Sequence, residues 1–467
     1  MFRLALNQIP THVFRTYDIR GNTLTDLTAD LVHDIGLALG SEALSQGETA
    51  FFVARDGRLS GPSLFAALKT GLLATGCNVI DIGIVPSPLL YFATQTLSTH
   101  SGIMLTGSHN PRDDNGIKTV IAGKTLTEDQ VQGILRRIQS RDAVSGQGQE
   151  SQYVGIIQDY IQDVSQRFHF KKKLKVVIDA GNGMGAVVAP ELYQKMGCEV
   201  IPLFCEVDGN FPNHHPDPSK PENLRALISQ VKALKADVGL AFDGDADRLG
   251  VITPSGKMIY PDRQLMLFAR AALKRNPGRK VVFDVKCSKL LGEVILEAGG
   301  VPVLYKTGHS LIKKKMLEDD AILAGEMSGH IFFRENWYGF DDGVYSGMRL
   351  LEILSESDQN LDEIFATIPD SISTPELNVL IPDAEKYAYL DTLKQHVNFP
   401  DAKIVTIVTI DGLRIEFEDG WGLVRCSNTT PMLTLRFEAK DQPTLQKIMQ
   451  QFKVLMLHHK PDLKVDF

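Results

Sequence analysis

Cysteine is scarce and scattered. The five cysteines, Cys77, Cys198, Cys205, Cys287 and Cys426, are odd in number and show no C-x-x-C spacing. That argues against a disulfide framework and a zinc knuckle, and fits reduced thiols in a cytoplasmic protein. Long apolar runs are also missing. No stretch approaches the about 20 apolar residues that cross a bilayer, so no membrane association is expected. The segment MFRLALNQIPTHVFRTYDIRG has no basic patch followed by an apolar run, so no signal peptide is expected. Nor is there an excess of positive charge: 49 Lys and Arg face 57 Asp and Glu, a net charge of −8. Broad nucleic-acid binding needs a basic field and is disfavoured, but a local basic pocket for one small anion is not.

What remains is ordinary globular material: 467 residues, 43% hydrophobic and 23% charged. At about 100–200 residues per domain, three or four domains are expected. Apolar β-branched runs lead repeatedly into polar or glycine-rich loops: Gly102–Thr106 into Gly107–Pro111, Lys175–Asp179 into Ala180–Gly183, Val238–Phe242 into Asp243–Asp245, and Lys280–Asp284 into Val285–Cys287. Alternation with amphipathic segments such as Arg225–Leu234 predicts α/β units with mainly parallel sheets, whose functional loops sit at the carboxyl ends of strands. The last hundred residues differ. Thr406–Ile410, Gly412–Glu418 and Met432–Ala439 alternate like antiparallel strands, and the Pro-containing stretch Ile368–Pro375 reads as a linker into this α+β part.

Two loops carry chemistry. Asp243-Gly244-Asp245-Ala246-Asp247-Arg248 sets carboxylates at i, i+2 and i+4 with small residues between. Three hard oxygen ligands converging in a tight turn suit Mg²⁺, and so many like charges call for a cation. An EF-hand fails, because loop position six is Arg248 and position twelve is Pro254. Arg248 is either an internal charge balancer or a group that holds a transferring phosphate. In Thr106-Gly107-Ser108-His109-Asn110-Pro111 a serine stands on a short loop after an apolar strand, well exposed for attack, with His109 beside it and Lys118 downstream. The G-x-S-x-G elbow of serine hydrolases is absent. A turn serine bonded to its own backbone is the plainer alternative.

These two loops, with Gly325-Glu326-Met327-Ser328-Gly329-His330 and Arg425-Cys426-Ser427-Asn428-Thr429-Thr430-Pro431, resemble the four signature loops of the α-D-phosphohexomutase family, in the family's order. Phe14–Gly21 and Lys306–Ser310 resemble further family segments, so the likeness spans about Phe14 to Ala439. The Gly-Glu-Met-Ser-Gly-His form is similar to the bacterial phosphomannomutase/phosphoglucomutase branch. The resemblance implies three similar mixed-sheet α/β domains and a smaller C-terminal α+β domain around a central cleft. The expected segments are 1–153 (phosphoserine loop), 154–256 (metal), 257–368 (sugar) and 369–467 (distal phosphate).

It further implies an isomerase that moves phosphate between C1 and C6 of mannose or glucose through phosphoserine at Ser108 and a reorienting 1,6-bisphosphate. One Mg²⁺ per chain would be held by Asp243, Asp245, Asp247 and the Ser108 phosphate. Arg248 would stabilise the transferring group, and His109 and Lys118 would handle protons and charge. Glu326 and Ser328 would read sugar hydroxyls O3 and O4, which change little when the sugar reverses and are shared by glucose and mannose. Arg425, Ser427, Asn428 and Thr429 would hold the distal phosphate. Tyr17, Arg20, Lys286, His309 and His330 match cleft positions. Hexose phosphates are the expected partners, glucose or mannose 1,6-bisphosphate the activator, and a cytoplasmic monomer the expected form.

Competing readings exist. Gly181-Asn182-Gly183-Met184-Gly185-Ala186 fits G-x-G-x-x-A, with Glu206 about twenty residues on, as in a dinucleotide-binding unit. A non-catalytic phosphosugar binder would keep Arg425 and Glu326 but not need Ser108. Within the family, phosphoglucosamine mutase is the nearest rival. His214-His215 and His458-His459 read as surface residues, and Lys313-Lys314-Lys315 as a solvated helix face.

Overall fold

Buried β-branched strands and amphipathic helices alternate along the chain, and the strands assemble into four sheets. The computed structural model describes residues 1–16, 18–399, 403–427 and 430–467. Of the expected site residues, Tyr17, Asn428 and Thr429 lie outside the described residues. Two units form: Met1–Gln264 with Ser328–Ala366, and Leu265–Met327 with Thr367–Phe467.

The first unit holds two sheets. One runs in the order Ile19–Asn22, Asp114–Ile121, Gly102–Leu105, Ala50–Arg55, Asn78–Ile84, Glu150–Gln152. Ala50–Arg55 is parallel to both neighbours, whereas Asp114–Ile121 is antiparallel to Gly102–Leu105 and pairs Lys118 with Met104. Against it pack helices Ala29–Ser45 and Gly61–Leu73, burying Leu31, Ile35, Leu39, Leu68 and Leu72 completely. Each such side chain is worth about 1.5–3 kcal/mol over its exposed state. The helices can approach closely because glycines face each other: a Cβ on Gly71 would lie 2.2 Å from the His33 carbonyl oxygen, and one on Gly36 2.5 Å from that of Leu68.

The second sheet runs Met258–Ile259, Leu249–Ile252, Val238–Phe242, Lys175–Asp179, Glu199–Leu203. Its last three strands are parallel, as the apolar runs predict. Val238–Phe242 and Leu249–Ile252 instead form a hairpin, with Phe242 opposite Leu249. The six residues Asp243–Arg248 therefore close a hairpin loop.

In the second unit, Val301–Tyr305, Lys280–Asp284 and Leu323–Gly325 are parallel. The C-terminal sheet is antiparallel, in the order Ile372–Ser373, Met432–Ala439, Gly420–Cys426, Leu413–Phe417, Ile404–Val408. Two expectations need correcting. The first strand of the C-terminal hairpins starts at Ile404, two residues before Thr406, and carries an irregular register there. The presumed linker contributes a strand, Ile372–Ser373, because its backbone pairs with Glu438 and Ala439. Trp421 is fully buried on this sheet, with the Arg414 guanidinium 3.9 Å from its ring centre. Among the described residues no helix is long and apolar enough to cross a membrane.

Candidate active site

The strand Gly102–Leu105 ends in the sheet, and Thr106-Gly107-Ser108 turns out of its carboxyl end. Ser108 takes a left-handed conformation, φ 48°, uncommon for a residue with a Cβ. Both of its peptide groups are tied. Its N–H donates to Thr106 Oγ1 at 2.9 Å, and its carbonyl accepts from Arg58 Nη2 at 2.8 Å. The hydroxyl donates to Asp243 Oδ2 at 2.8 Å and lies 3.1 Å from His109 Nδ1. The serine is thus 2% exposed, not open as the loop's composition suggests. The hairpin loop it meets is what covers it.

That loop turns its carboxylates inward by spending its backbone outward. The carbonyls of Asp243, Gly244, Asp245 and Ala246 accept from the N–H groups of Ala246, Met184, Ser87 and Gly343. Asp243, Asp245 and Asp247 are completely buried, and one oxygen from each lies within 4.8 Å of the other two. Lys118 Nζ reaches Asp245 Oδ2 at 2.6 Å and Asp247 Oδ2 at 2.5 Å. The Ser87 hydroxyl also donates to Asp245. Arg248 donates from Nε to His330 Nε2 at 3.2 Å and stands 3.7 Å from Asp243. His330 Nε2 is 3.3 Å from Asp247 Oδ1, and its Nδ1 is 2.8 Å from Ser328 Oγ. Arg20 pairs with Asp18 and donates to Asn110 of the serine loop, both at 2.8 Å.

The residues fit a hard divalent cation. The ligand set is all oxygen, and Asp245 Oδ1 is buried with no hydrogen-bond donor among the described residues, while Asp247 Oδ1 faces His330 Nε2 at 3.3 Å. Burial and the two neighbouring carboxylates push Asp243 well above the usual carboxylate range. Burial alone would also raise Asp247, but Lys118, His330 and Arg248 hold it well below that range. Lys118 is buried, which opposes its charge, yet Asp245 and Asp247 hold its ammonium well above the ordinary lysine value. His109 goes down: burial first, then Arg248, Arg20 and His330, keep its imidazole neutral near neutral pH.

The second unit gathers the remaining expected residues. Asp284, at the end of its strand, accepts from Thr307 Oγ1 at 2.9 Å and from the Met327 N–H at 3.2 Å. Asp411 Oδ2 accepts from the Thr307 N–H at 2.9 Å and from Arg425 Nε at 3.1 Å. Glu326 accepts from the Gly308 N–H at 2.6 Å, where the helix His309–Glu318 begins. Lys286 Nζ donates to Glu376 at 2.6 Å, and that ammonium pulls the Glu376 carboxyl down to about 2. Arg425 lies on the strand Gly420–Cys426, not in the loop beyond it. Its Nη2 is buried with no hydrogen-bond partner among the described residues, which suits an incoming anion. Ser427 follows, its hydroxyl 2.6 Å from that of Thr430.

Several residues that build the site escape sequence reasoning: Asp56, Arg58, Ser87, Asp284, Glu376 and Asp411. Only Asp284 carries a local signal, as the last residue of an apolar strand. The glycine fingerprint is explained by packing. A Cβ on Gly183 would lie 2.8 Å from the Gly244 oxygen, and one on Gly185 2.9 Å from the Phe242 ring, so these glycines let the segment support the aspartate loop. Two bland readings are corrected. His214 is half-buried and bonds Asp179 at 3.0 Å, and Lys313 is buried while Lys314 is exposed.

Comparison with known proteins covers the whole chain. Residues 11–145, 158–256, 260–371 and 376–453 match, in turn, alpha/beta/alpha domains I, II and III and the C-terminal domain of the phosphoglucomutase/phosphomannomutase family. A phosphomannomutase/phosphoglucomutase of Pseudomonas putida is 52% identical over 467 residues, 100% of both chains. A phosphoglucomutase of Neisseria meningitidis is 49% identical over 96% of this chain and 97% of its own. The crystal structure of a phosphoglucomutase/phosphomannomutase family protein from Burkholderia thailandensis superposes with a TM-score of 0.94 at 47% identity, covering 98% of this chain and 100% of that one.

Proposed function

The chain belongs to the phosphoglucomutase/phosphomannomutase family, and from that premise we propose that Ser108 carries the phosphate it exchanges with hexose phosphates. The protein is a phosphohexomutase, an isomerase that interconverts hexose 1- and 6-phosphates of the mannose and glucose type. Relatives at 52% identity over the full chain do not favour the phosphoglucosamine mutase alternative. The observation that carries the assignment of Ser108 is its hydroxyl at 2.8 Å from Asp243, beside three buried carboxylates that fit Mg²⁺.

Asp243, Asp245 and Asp247 would hold the Mg²⁺ on which the family depends. Bound there, the ion polarises the phosphoryl group and offsets its charge. The protein's own groups do the rest. In donation the P–Oγ bond of phosphoserine breaks, a bond forms from phosphorus to the free sugar hydroxyl, and that hydroxyl's proton passes to solvent water; in return the sugar oxygen freed from its phosphate takes a proton back from water. His109, neutral and 3.1 Å from Oγ, takes the Oγ proton when that hydroxyl attacks in the return step, and the imidazolium so formed gives the same proton back to the departing Oγ in the next donation. Lys118, held charged by Asp245 and Asp247, offsets the phosphoserine charge. Arg248 stabilises the equatorial oxygens.

On the second unit, Arg425, with Lys286 and Ser427, takes the phosphate that is not reacting. Glu326 binds sugar hydroxyls there, and Ser328, in the first unit, is assigned the same role. Arg20, His309 and His330 are assigned to the substrate. A 1,6-bisphosphate of glucose or mannose serves as activator by restoring the phosphate on Ser108. The segment boundaries 153/154, 256/257 and 368/369 belong to the same reading. They are supported by sheets that stay within single segments, except that the second runs on to Ile259.

Phosphorus NMR tests this. Protein, Mg²⁺, a trace of glucose 1,6-bisphosphate and either glucose 1-phosphate or mannose 1-phosphate should give the 6-phosphate in both tubes. Ser108→Ala or chelation should abolish it. Turnover by Ser108→Ala at the wild-type rate would sink the carrier assignment.

A further inference from the structure

Arg58 touches none of the reacting groups assigned above, yet every donor it has is committed around the serine. It lies in the Asp56–Ser60 connection after the strand Ala50–Arg55, the parallel neighbour of the strand that leads to Ser108. Its side chain is fully buried. A guanidinium has five N–H donors in a rigid fork. Here Nε donates to Asp56 Oδ2 at 3.2 Å; Nη1 to the carbonyls of Pro111 (2.5 Å) and Asp114 (2.9 Å); and Nη2 to the carbonyls of Ser108 (2.8 Å) and Asn110 (2.7 Å). The Phe211 ring covers the guanidinium at 5.2 Å.

Asp56 completes the frame. Besides Arg58 Nε it accepts from the Arg58 N–H (3.0 Å), the Thr106 hydroxyl (2.7 Å) and the Gly107 N–H (3.2 Å). Thr106 Oγ1 in turn accepts from the Ser108 N–H. One ion pair therefore fixes the carbonyl side of Ser108 directly and its N–H side through Thr106. Gly107 is required by the same contact, because a Cβ there would lie 2.4 Å from Arg58 Cζ.

We propose that Asp56 and Arg58 are a positioning pair, joined by Thr106, that holds Ser108 in its left-handed conformation with Oγ aimed at Asp243. The pair sets the rate of phosphoryl transfer without touching substrate. A buried fork satisfied by four carbonyls between Ser108 and Asp114 is a geometric device: lysine in its place keeps the charge but is a point donor and cannot span them. This inference rests on Ser108 being the phosphate carrier, and its test separates the two.

The test is single-turnover transfer of labelled phosphate, loaded on the protein from glucose 1,6-bisphosphate, to excess glucose 1-phosphate. The amplitude reads the folded, loaded fraction, and the rate constant reads positioning. Arg58→Lys is expected to lower the rate constant about 100-fold, the cost of misplacing a reacting atom by about 1 Å. KM for glucose 1-phosphate should stay at its wild-type value. If Arg58→Lys does not fold, Thr106→Val serves: it removes the shared hydroxyl at constant size and should slow transfer about tenfold or more, within the same geometric scale. Thr106→Ser should restore it. Unchanged rate constants with reduced amplitudes, or equal loss in Thr106→Val and Thr106→Ser, would overturn the positioning role. Failure of the wild-type protein to take label, or label retained by Ser108→Ala, would instead overturn the carrier assignment.

Discussion

Gly244, between the first two aspartates, gives the sharpest prediction. A Cβ at this position would lie 2.2 Å from the Ser108 carbonyl oxygen and 3.1 Å from its carbonyl carbon. Real Cβ atoms stay at 3.0 Å or beyond, so Gly244→Ala must open the two loops by at least 0.8 Å, the difference between 3.0 and 2.2. No side chain can swing aside, since the atoms it meets are backbone. Carried along the Ser108–Asp243 line, the opening stretches a 2.8 Å bond to about 3.6 Å, which is no longer a hydrogen bond. A displacement near 1 Å costs about 100-fold in rate, or about 2.7 kcal/mol of activation free energy. The overpacking itself costs about 1–3 kcal/mol of stability. A coupled assay of glucose 6-phosphate formation at saturating Mg²⁺, with thermal unfolding beside it, reads both. Gly133→Ala is the control. It lies on the helix Glu128–Ser140 with Arg136 Nη2 as its nearest neighbour at 3.7 Å. It should gain about 0.5–1 kcal/mol of stability and keep its kcat. A folded Gly244→Ala protein within about threefold of wild-type kcat, under 1 kcal/mol of activation free energy, would refute the reasoning.

Lys118→Met leaves Asp245 and Asp247 without their ammonium. Breaking such a buried pair costs about 3–5 kcal/mol, so the variant should unfold earlier in chelator and recover more with Mg²⁺ than wild type does; equal Mg²⁺ responses in thermal unfolding would contradict this. Burial pushes the Asp342 carboxyl up to about 7 from 3.8, where it caps the helix Gly343–Glu356 and accepts from Tyr160. A raised folded pKa stabilises fully below 3.8, and that stability is lost as pH rises to about 7. A window from 3.8 to about 7 corresponds to the order of 4 kcal/mol. Asp342→Asn should therefore flatten the pH dependence of denaturant unfolding across that window, and curves that superpose would count against it. Glu326→Ala should reduce kcat/KM equally for glucose and mannose phosphates; loss on one sugar alone would sink the O3/O4 readout.

Legibility in the sequence followed locality. Asp243, Asp245 and Asp247 are readable because their convergence is set by two-residue spacing inside one hairpin loop. The parallel strands Lys175–Asp179, Val238–Phe242 and Lys280–Asp284 are readable because burial on both faces leaves continuous apolar runs. Ser108 reads as an exposed loop serine yet is buried, since the residues that cover it come from a different sheet, 135 positions on. Arg58 carries no sequence signal for the same reason: the carbonyls it binds lie 50 to 56 residues away, and a backbone acceptor leaves no mark in a sequence. The glycine fingerprint shows the converse error. Its spacing satisfies a phosphate-binding pattern, but the structure spends those glycines on close contact with Phe242 and Gly244.

The way the two units share the chain has a consequence for synthesis. The polypeptide passes between them three times, after Gln264, Met327 and Ala366. The first unit therefore cannot be completed when its first 264 residues have left the ribosome. Its helix Gly343–Glu356, whose Gly343 N–H holds the Ala246 carbonyl, arrives only after an intervening piece of the other unit. Nascent chains arrested between Gln264 and Met327 should hold a hairpin loop short of one of its four backbone anchors. No single cut can release either unit intact. The middle crossing falls between Met327 and Ser328, so the two residues assigned to sugar hydroxyls, Glu326 and Ser328, are separated by one residue along the chain yet belong to different units.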